Sequence, residues 1–378
     1  MSEYQYYEFR AVDRPLDERE LRMLRSLSTR GEITPTSFVN TYNWGDFKGD
    51  PDTLMETCFD AFVHVANWGT RRFVLRLPQR QLRSKFLSSC CQGDSLRARR
   101  AGEFVVIDFC TADEGGDGAE GEGWMASLIA LRADLARGDG RCLYLGWLRC
   151  AQNRELDEDD IEPPVPPGLR SLSGSLEAFI KFMGLDGDLV EVAASESEQP
   201  VTPPTRDELA AWVRMMPVKD KDALLVDAAL DTNSATGAAV LRRFELTRSV
   251  SDSKAQPKRR TVEELLEAAR KRSDEKARQK AERYAAEGAR KERETAKART
   301  RYLDQLAERE QATWQTVTTL VQKKQPGKYD LAVNLLVDLR DLAVRRKGEA
   351  SFESAVNKLR QVHAAKPSFL RHLSEAGL

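Results

Sequence analysis

Residues 261–300 read TVEELLEAARKRSDEKARQKAERYAAEGARKERETAKART, and this stretch decides how the chain is organised. It is dominated by Ala, Glu, Lys and Arg, all of which are strong helix formers. Between Thr261 and Val321 there is no proline, and Gly288 is the only glycine. We therefore predict one helix from Thr261 to about Val321, about 90 Å long at about 1.5 Å per residue.

Charge pairing and apolar content indicate how this helix is used. Oppositely charged residues stand four apart, a spacing that stabilises an exposed helix, at Arg278–Glu282, Arg283–Glu287 and Glu287–Lys291. Large apolar residues gather at the two ends, whereas the middle offers only alanines and Tyr284. A coiled coil needs apolar a and d positions over several heptads. The pattern favours a mostly solvated connecting helix, over residues 258–321, anchored at both ends.

Residues 1–195, on the N-terminal side, mix strand and helix patterns and predict an α+β domain. The predicted strands are Tyr4–Ala11, Ser37–Trp44, Arg71–Leu77 and Phe104–Cys110. The predicted helices are Asp17–Leu27, Asp50–Trp68, Trp124–Leu135 and Ser173–Met183. The segment Arg141–Arg149 fits either a strand or the start of a helix.

Two further helical parts complete the predicted organisation. A small helical segment, 206–248, lies between linkers at Ser195–Thr205 and Ser249–Pro257. Residues 328–378 form a small C-terminal helical domain, after Pro326 and Gly327 end the long helix. Its predicted helices are Tyr329–Val344, Phe352–Val362 and a short one near Ser368–Ala376. The predicted fold class is an α+β N-terminal domain followed by an all-α region with a long charged helix and a small C-terminal helical domain.

Composition narrows the class of protein. The chain has 378 residues, which suits two or three domains, and its net charge of -1 argues against a strongly basic nucleic-acid coat. No stretch approaches the roughly 20 apolar residues of a membrane span, and the start lacks the features of a signal peptide. We expect a cytoplasmic protein with reduced cysteines at positions Cys58, Cys90, Cys91, Cys110, Cys142 and Cys150.

One glycine-rich motif suggests nucleotide binding. Residues 116–121 match G-x-G-x-x-G between a predicted strand and a predicted helix. However, five carboxylates crowd the same loop and would repel a pyrophosphate, namely Asp113, Glu114, Asp117, Glu120 and Glu122. We interpret the segment as an acidic loop and predict no cofactor.

No residue set predicts catalysis or metal binding. The chain has no C-x-x-C and no H-x3–5-H pair for zinc, and no G-x-S-x-G elbow for a serine nucleophile. Cys90 and Cys91 could form a reactive thiol if Arg83 and Lys85 lowered its pKa, although structural thiols are the favoured interpretation. We place His64 on the solvated side of the Asp50–Trp68 helix, and assign His363 and His372 to capping or packing.

Basic residues provide the alternative, nucleic-acid hypothesis. Between Lys258 and Glu310 there are 17 Lys or Arg against 12 Asp or Glu. Within residues 258–301, the candidate phosphate contacts are Lys258, Arg259, Arg260, Arg270, Lys271 and Arg272. A mixed-sign helix is usually just soluble. A second candidate is a base-stacking platform that places Arg72 and Arg76 beside the aromatic strand Tyr4–Phe9, but packing is the default interpretation.

Two resemblances add to this reading. The segment Asp338-Leu339-Arg340-Asp341-Leu342-Ala343 and the ending Lys366-Pro367-Ser368-Phe369-Leu370 resemble the C-terminal helical region of bacterial SWIM zinc-finger proteins over about 50 residues. The zinc-binding C-x-C…C-x-H pattern is missing, so the metal and DNA role of that family do not carry over. Segments including 2–9, 43–50 and 66–71 resemble an uncharacterised family of bacterial cytosolic proteins, which implies a bacterial origin and no particular chemistry.

The leading hypothesis is a non-enzymatic intracellular adaptor that binds protein partners through its two end domains. It rests on a charged spacer between two apolar modules, neither of which concentrates reactive groups. The alternatives are nucleic-acid association through the basic stretches and an enzyme of unknown class in the N-terminal half.

Overall fold

The computed structural model describes residues 4–112, 120–199, 204–230, 259–323 and 325–378, together with single residues 237, 240, 241, 243, 244 and 247. The chain divides into two compact units, Met1–Glu275 and Lys276–Leu378, called here the N-terminal and C-terminal units. The predicted fold class is confirmed, because an antiparallel sheet with helices precedes an all-helical region. None of the described helices combines the length and apolarity that crossing a lipid bilayer requires.

A seven-stranded antiparallel sheet forms the centre of the N-terminal unit. Its strands are β1 (Gln5–Arg10), β2 (Glu32–Thr34), β3 (Ser37–Tyr42), β4 (Ala61–Ala66), β5 (Thr70–Pro78), β6 (Leu96–Ala101) and β7 (Phe104–Ala112). They lie in the order β2-β3-β1-β4-β5-β7-β6, so that β2 and β6 are the edges. Because both faces of the central strands are covered, β4 and most of β7 are nearly continuous apolar runs.

Helices cover the two faces of the sheet. On one face, α1 (Glu18–Leu27) and α2 (Pro51–Thr57) pack over alternate strand residues such as Phe9 and Phe62. The opposite face, which includes Phe73 and Phe109, lies under α3 (Ser84–Cys90), α4 (Trp124–Leu128), α5 (Ala130–Ala136), α6 (Arg141–Gln152), α7 (Gly174–Met183) and α8 (Gly187–Ser195). The ambiguous segment Arg141–Arg149 is therefore helical.

The predicted Asp50–Trp68 helix is wrong beyond its first two turns. Its start is as expected, because the Asp50 carboxylate accepts hydrogen bonds from two backbone N–H groups and Pro51 is the first helical residue. The helix ends at Thr57, and Ala61–Ala66 forms β4, paired with both β1 and β5. A strand buried on both faces shows no alternation, so its apolar residues also fit a helical stripe.

The stacking platform is contradicted by the strand order. β4 lies between β1 and β5, so Arg72 and Arg76 do not border the aromatic strand directly. Both guanidinium groups are held by carboxylates: Arg72 lies 2.6 Å from Asp108, and Arg76 lies 2.9 Å from Asp60. These side chains tie neighbouring strands together.

The long charged helix exists but is interrupted. It runs as α11 (Val262–Glu308), breaks at Arg309, and resumes as α12 (Glu310–Gln322). Nothing in the sequence marks Arg309 as a break. The side chains of residues 270–298 are exposed, as predicted for a solvated helix. Two of the predicted pairs are present, Arg278–Glu282 at 3.1 Å and Glu287–Lys291 at 3.4 Å.

The C-terminal unit is a helical bundle that includes the end of the long helix. Its other helices are α13 (Pro326–Arg346), α14 (Glu349–Val362) and α15 (Pro367–Glu375). Pro326 does not simply end the preceding helix but is the first residue of α13, where a missing N–H costs nothing. Leu303, Leu306, Val317 and Val321 belong to the same core as these helices, so the bundle begins before residue 328.

A partly exposed polar cluster joins α11 to α13 inside this bundle. The Arg299 guanidinium lies 2.5 Å from Asp338 and 2.6 Å from Asp341. The Tyr302 hydroxyl donates a hydrogen bond of 2.6 Å to the other Asp338 oxygen. Asp338 thus accepts hydrogen bonds from two consecutive turns of α11.

Candidate protein-binding surface

A short helical pair follows the α+β part of the N-terminal unit: α9 (Arg206–Met215) and α10 (Val218–Leu230). α9 begins with a capping box, in which the Glu208 N–H donates to the Thr205 hydroxyl and the Thr205 N–H donates to the Glu208 carboxylate. Pro217 separates the two helices. Half-buried Trp212 contacts Phe244 edge to face, with ring centres 5.6 Å apart.

Exposed apolar side chains are concentrated on these two helices. Thirteen large apolar side chains are exposed among the described residues, and five of them lie within residues 213–226. Their exposed fractions range from 38% to 85%, and they are Val213, Met215, Val218, Leu225 and Val226. Single exposed apolar residues are ordinary, whereas a local concentration marks an interaction surface. We call these five residues the α9–α10 surface.

Sequence reasoning predicts helices here but misses their exposed face. The signal is visible in Trp212-Val213-Arg214-Met215-Met216-Pro217-Val218, where apolar residues are too dense for one side of a helix. So many apolar residues in one short segment cannot all be buried between the two helices. The sequence does not show which of them remain exposed to solvent.

Three of the candidate phosphate contacts are paired with carboxylates in the structure. Arg272 pairs with Asp188 and Glu191, and Arg260 forms a two-point ion pair with Glu162. Lys271 lies 2.9 Å from Glu267 on its own helix. Of the other candidates, Arg259 and Arg270 are exposed, and Lys258 lies outside the described residues. The six residues therefore do not form one surface of available cations.

Arg260 instead fixes the start of the long helix. Its guanidinium lies 2.8 and 2.9 Å from the two oxygens of Glu162, which is 2% exposed. The Tyr144 hydroxyl donates to the same carboxylate, and burial raises the pKa of Tyr144 well above its usual value. A bridge between Ile161 and Thr261 holds the two chain segments side by side.

The thiols are structural. All six cysteines are free, and Cys90 is completely buried in the larger core of the N-terminal unit. Burial raises the pKa of Cys91 to about 12 and raises that of Cys90 further. Arg83 and Lys85 therefore do not produce a thiolate here, which agrees with the favoured interpretation.

His64 lies in a different environment from the predicted one. It is on β4 rather than on a solvated helical face, and it stacks on Tyr7 with ring centres 4.4 Å apart. Burial, with a smaller effect of the Arg72 charge, lowers the pKa of His64 to about 4. His363 is buried at the end of α14, and His372 lies 2.9 Å from Asp330. Both C-terminal histidines pack as expected.

Residues 113–119 of the acidic glycine-rich loop lie outside the described part of the chain, and Gly121 donates its N–H to the Tyr4 hydroxyl. Within the described ranges, no group of three or more His, Cys, Asp or Glu side chains is placed to hold a metal ion.

Comparison of this chain with protein-family models, with curated proteins and with solved structures finds no match. The resemblances to SWIM proteins and to a bacterial cytosolic family therefore stay predictions.

Proposed function

We propose that this chain is a non-enzymatic cytoplasmic adaptor, and that the α9–α10 surface docks a protein partner. The observation that carries the proposal is the concentration of five exposed aliphatic and methionine side chains within residues 213–226. Removing apolar surface from water is favourable by about 25 cal/mol per Å², from which the cost of immobilising the two partners is subtracted. Flexible aliphatic and methionine surfaces suit the apolar face of an amphipathic partner helix.

The C-terminal unit has three separate exposed apolar residues. Leu331, Val344 and Val362 are all at least 49% exposed, and the first two lie on α13. Single exposed apolar residues are ordinary, so these three do not define a second binding surface. A partner bound by the C-terminal unit stays a prediction from the sequence.

The reactive groups of the N-terminal unit support a binding role. A cysteine nucleophile works as the thiolate, and a histidine general base works best with a pKa near the operating pH. Cys91, with a pKa of about 12, is protonated at pH 7, and His64, with a pKa of about 4, is neutral and packed against Tyr7 and Phe62. Both environments suit packing.

The proposal is tested by affinity purification from the native host, followed by binding measurements with the purified partner. The double variant Met215→Asp/Leu225→Asp should weaken binding at least tenfold, because two charges would enter an apolar interface. Tyr284→Asp, which changes an exposed aromatic residue on α11, is the matched control and should bind as the parent does. A partner that binds the double variant undiminished contradicts the assignment of this surface.

The same experiment addresses nucleic-acid association through residues 258–301. Binding to phosphates weakens steeply as salt rises, because counterions are released. An interaction that nuclease treatment abolishes, and that falls by orders of magnitude between low and high salt, would replace the adaptor proposal. An apolar interface keeps most of its affinity over that range.

A further inference from the structure

The β6 edge of the sheet has backbone groups that point away from the molecule. Among the residues that the structure describes, β6 pairs with β7 alone and ends the strand order. The β6–β7 hairpin closes through two residues, so its last pair, Ala101 and Phe104, exchanges both hydrogen bonds. Alternation then directs the backbone N–H and C=O groups of Ala98 and Arg100 outward. The hydrogen bond from the Cys110 N–H to the Ser95 carbonyl agrees with this alternation, because it makes Ser95 and Cys110 a hydrogen-bonded pair.

A cavity lies along the same edge. It has a volume of about 260 Å³ and is enclosed by β6, the start of β7 and the segment that carries α3. Its lining combines apolar and hydroxyl groups, including Leu82, Ser84, Leu87, Ser88, Ala98 and Val105. The side chains of Ala98 and Arg100 are exposed on the cavity side of β6. An extended segment paired with β6 would therefore place every second side chain over this cavity.

The charged residues that line the cavity are both basic, Arg99 and Arg100. Arg99 is paired with carboxylates of α2 on the other face of the sheet, and Arg97 is paired with Asp94. Arg100 is exposed and lines the cavity itself. The edge therefore matches an acidic partner.

A second copy of this chain is a poor occupant. Pairing two β6 strands would place arginines opposite arginines, and like charges across a strand pair are destabilising. Charges on an edge strand also protect against such self-association. A partner with acidic residues reverses this effect.

We propose that the β6 edge and its cavity bind an extended acidic segment of a protein partner, which adds to the sheet as an eighth strand. Backbone bonds to Ala98 and Arg100 provide affinity, small aliphatic side chains enter the cavity, and flanking carboxylates approach Arg100. This inference shares one assumption with the proposed function, namely that the partner is a protein. It uses a site separate from the α9–α10 surface.

The test uses the full chain and a fluorescein-labelled heptapeptide, Glu-Glu-Val-Thr-Val-Glu-Glu, followed by fluorescence anisotropy at about 0.15 M salt, where the Debye length is about 8 Å. Binding should be lost when lysine replaces the glutamates. Arg100→Glu should weaken binding at least tenfold. Ala98→Pro should do the same, because it removes an outward N–H while leaving the β7 ladder intact. Hydrogen exchange at Ala98 and Arg100 should slow on peptide addition.

Two controls separate the outcomes. Arg19→Glu makes the same change in net charge on α1, across the sheet, and should alter affinity less than twofold. Met215→Asp should leave peptide binding unchanged, so a failure of the α9–α10 proposal does not affect this result. Absence of peptide binding, or binding that Arg100→Glu leaves unchanged, overturns the inference. If Ala98→Pro unfolds the sheet, Arg100→Glu and the lysine-substituted peptide still test the inference.

Discussion

The two ends of the long helix α11 are fixed by the same kind of ion pair in opposite surroundings. At its start, Arg260 meets Glu162, a carboxylate with 2% exposure. Near its end, the side chain of Arg299 is 39% exposed and meets Asp338 and Asp341. Hydrogen-bond distances at the two sites are similar, between 2.5 and 2.9 Å. The difference therefore lies in solvation.

Solvation determines what each pair contributes. Water competes for exposed charges, so an exposed pair stabilises by at most about 1 kcal/mol. When a buried charge loses its partner, water cannot take the partner's place. Breaking such a pair therefore lowers the unfolding free energy by about 3–5 kcal/mol. Removing the ion-pair partner is thus predicted to destabilise the start of α11 strongly, whereas at the end the apolar core around Leu306 and Val317 makes the ion pair less important.

The largest effect is expected from Glu162→Ala. This change removes the carboxylate that accepts from Arg260 and Tyr144 and leaves the Arg260 guanidinium only the Val192 carbonyl, so the N-terminal unit should lose about 3–5 kcal/mol of unfolding free energy. Chemical denaturation measures the loss of unfolding free energy. Faster hydrogen exchange in α6 and in residues 262–269 would show where the structure is destabilised. Glu162→Gln retains one acceptor oxygen and should lose less. A loss below about 1 kcal/mol for the alanine variant would show that the site is hydrated.

A smaller effect is expected from Asp338→Ala. Arg299 and Tyr302 would lose their shared acceptor, but both can turn to water, so the C-terminal unit should lose about 1 kcal/mol. Raising the salt concentration from about 0.1 to 1 M should reduce this difference between parent and variant, because exposed charges are screened. The Glu162→Ala difference should persist at high salt. Equal salt dependence at both sites would refute the distinction between them.

The sequence shows where α11 begins but not how it is held. Thr261 and Glu264 form a capping box, and the apolar residues after it enter the larger core. The Arg260–Glu162 pair spans 98 positions and depends on a proline-containing loop. No local pattern encodes that contact, and the same arginine therefore fits a phosphate contact when only neighbouring residues are considered.

Strands show a similar division between what is and is not predictable. The predicted strands Tyr4–Ala11 and Arg71–Leu77 are present as β1 and β5. They could be predicted because their aromatic and aliphatic residues are typical of strands. β6 was not predicted, since Leu96-Arg97-Ala98-Arg99-Arg100-Ala101 has one large apolar residue and half of an edge strand is solvated. The elements missed from sequence thus include the edge to which the proposed partner strand binds.

The smallest effect is expected in the middle of α11, where Arg278 and Glu282 form an exposed pair at 3.1 Å. Glu282→Gln removes one charge and keeps a residue of similar helix propensity, so unfolding free energy should change by less than about 0.5 kcal/mol. Denaturation of the full chain beside Glu162→Ala provides the measurement. The three variants then rank the contributions of three ion pairs by their burial: Arg260–Glu162, Arg299–Asp338 and Arg278–Glu282. A loss above about 1 kcal/mol at Glu282 would mean that this segment is covered in solution, because a solvated pair cannot contribute that much.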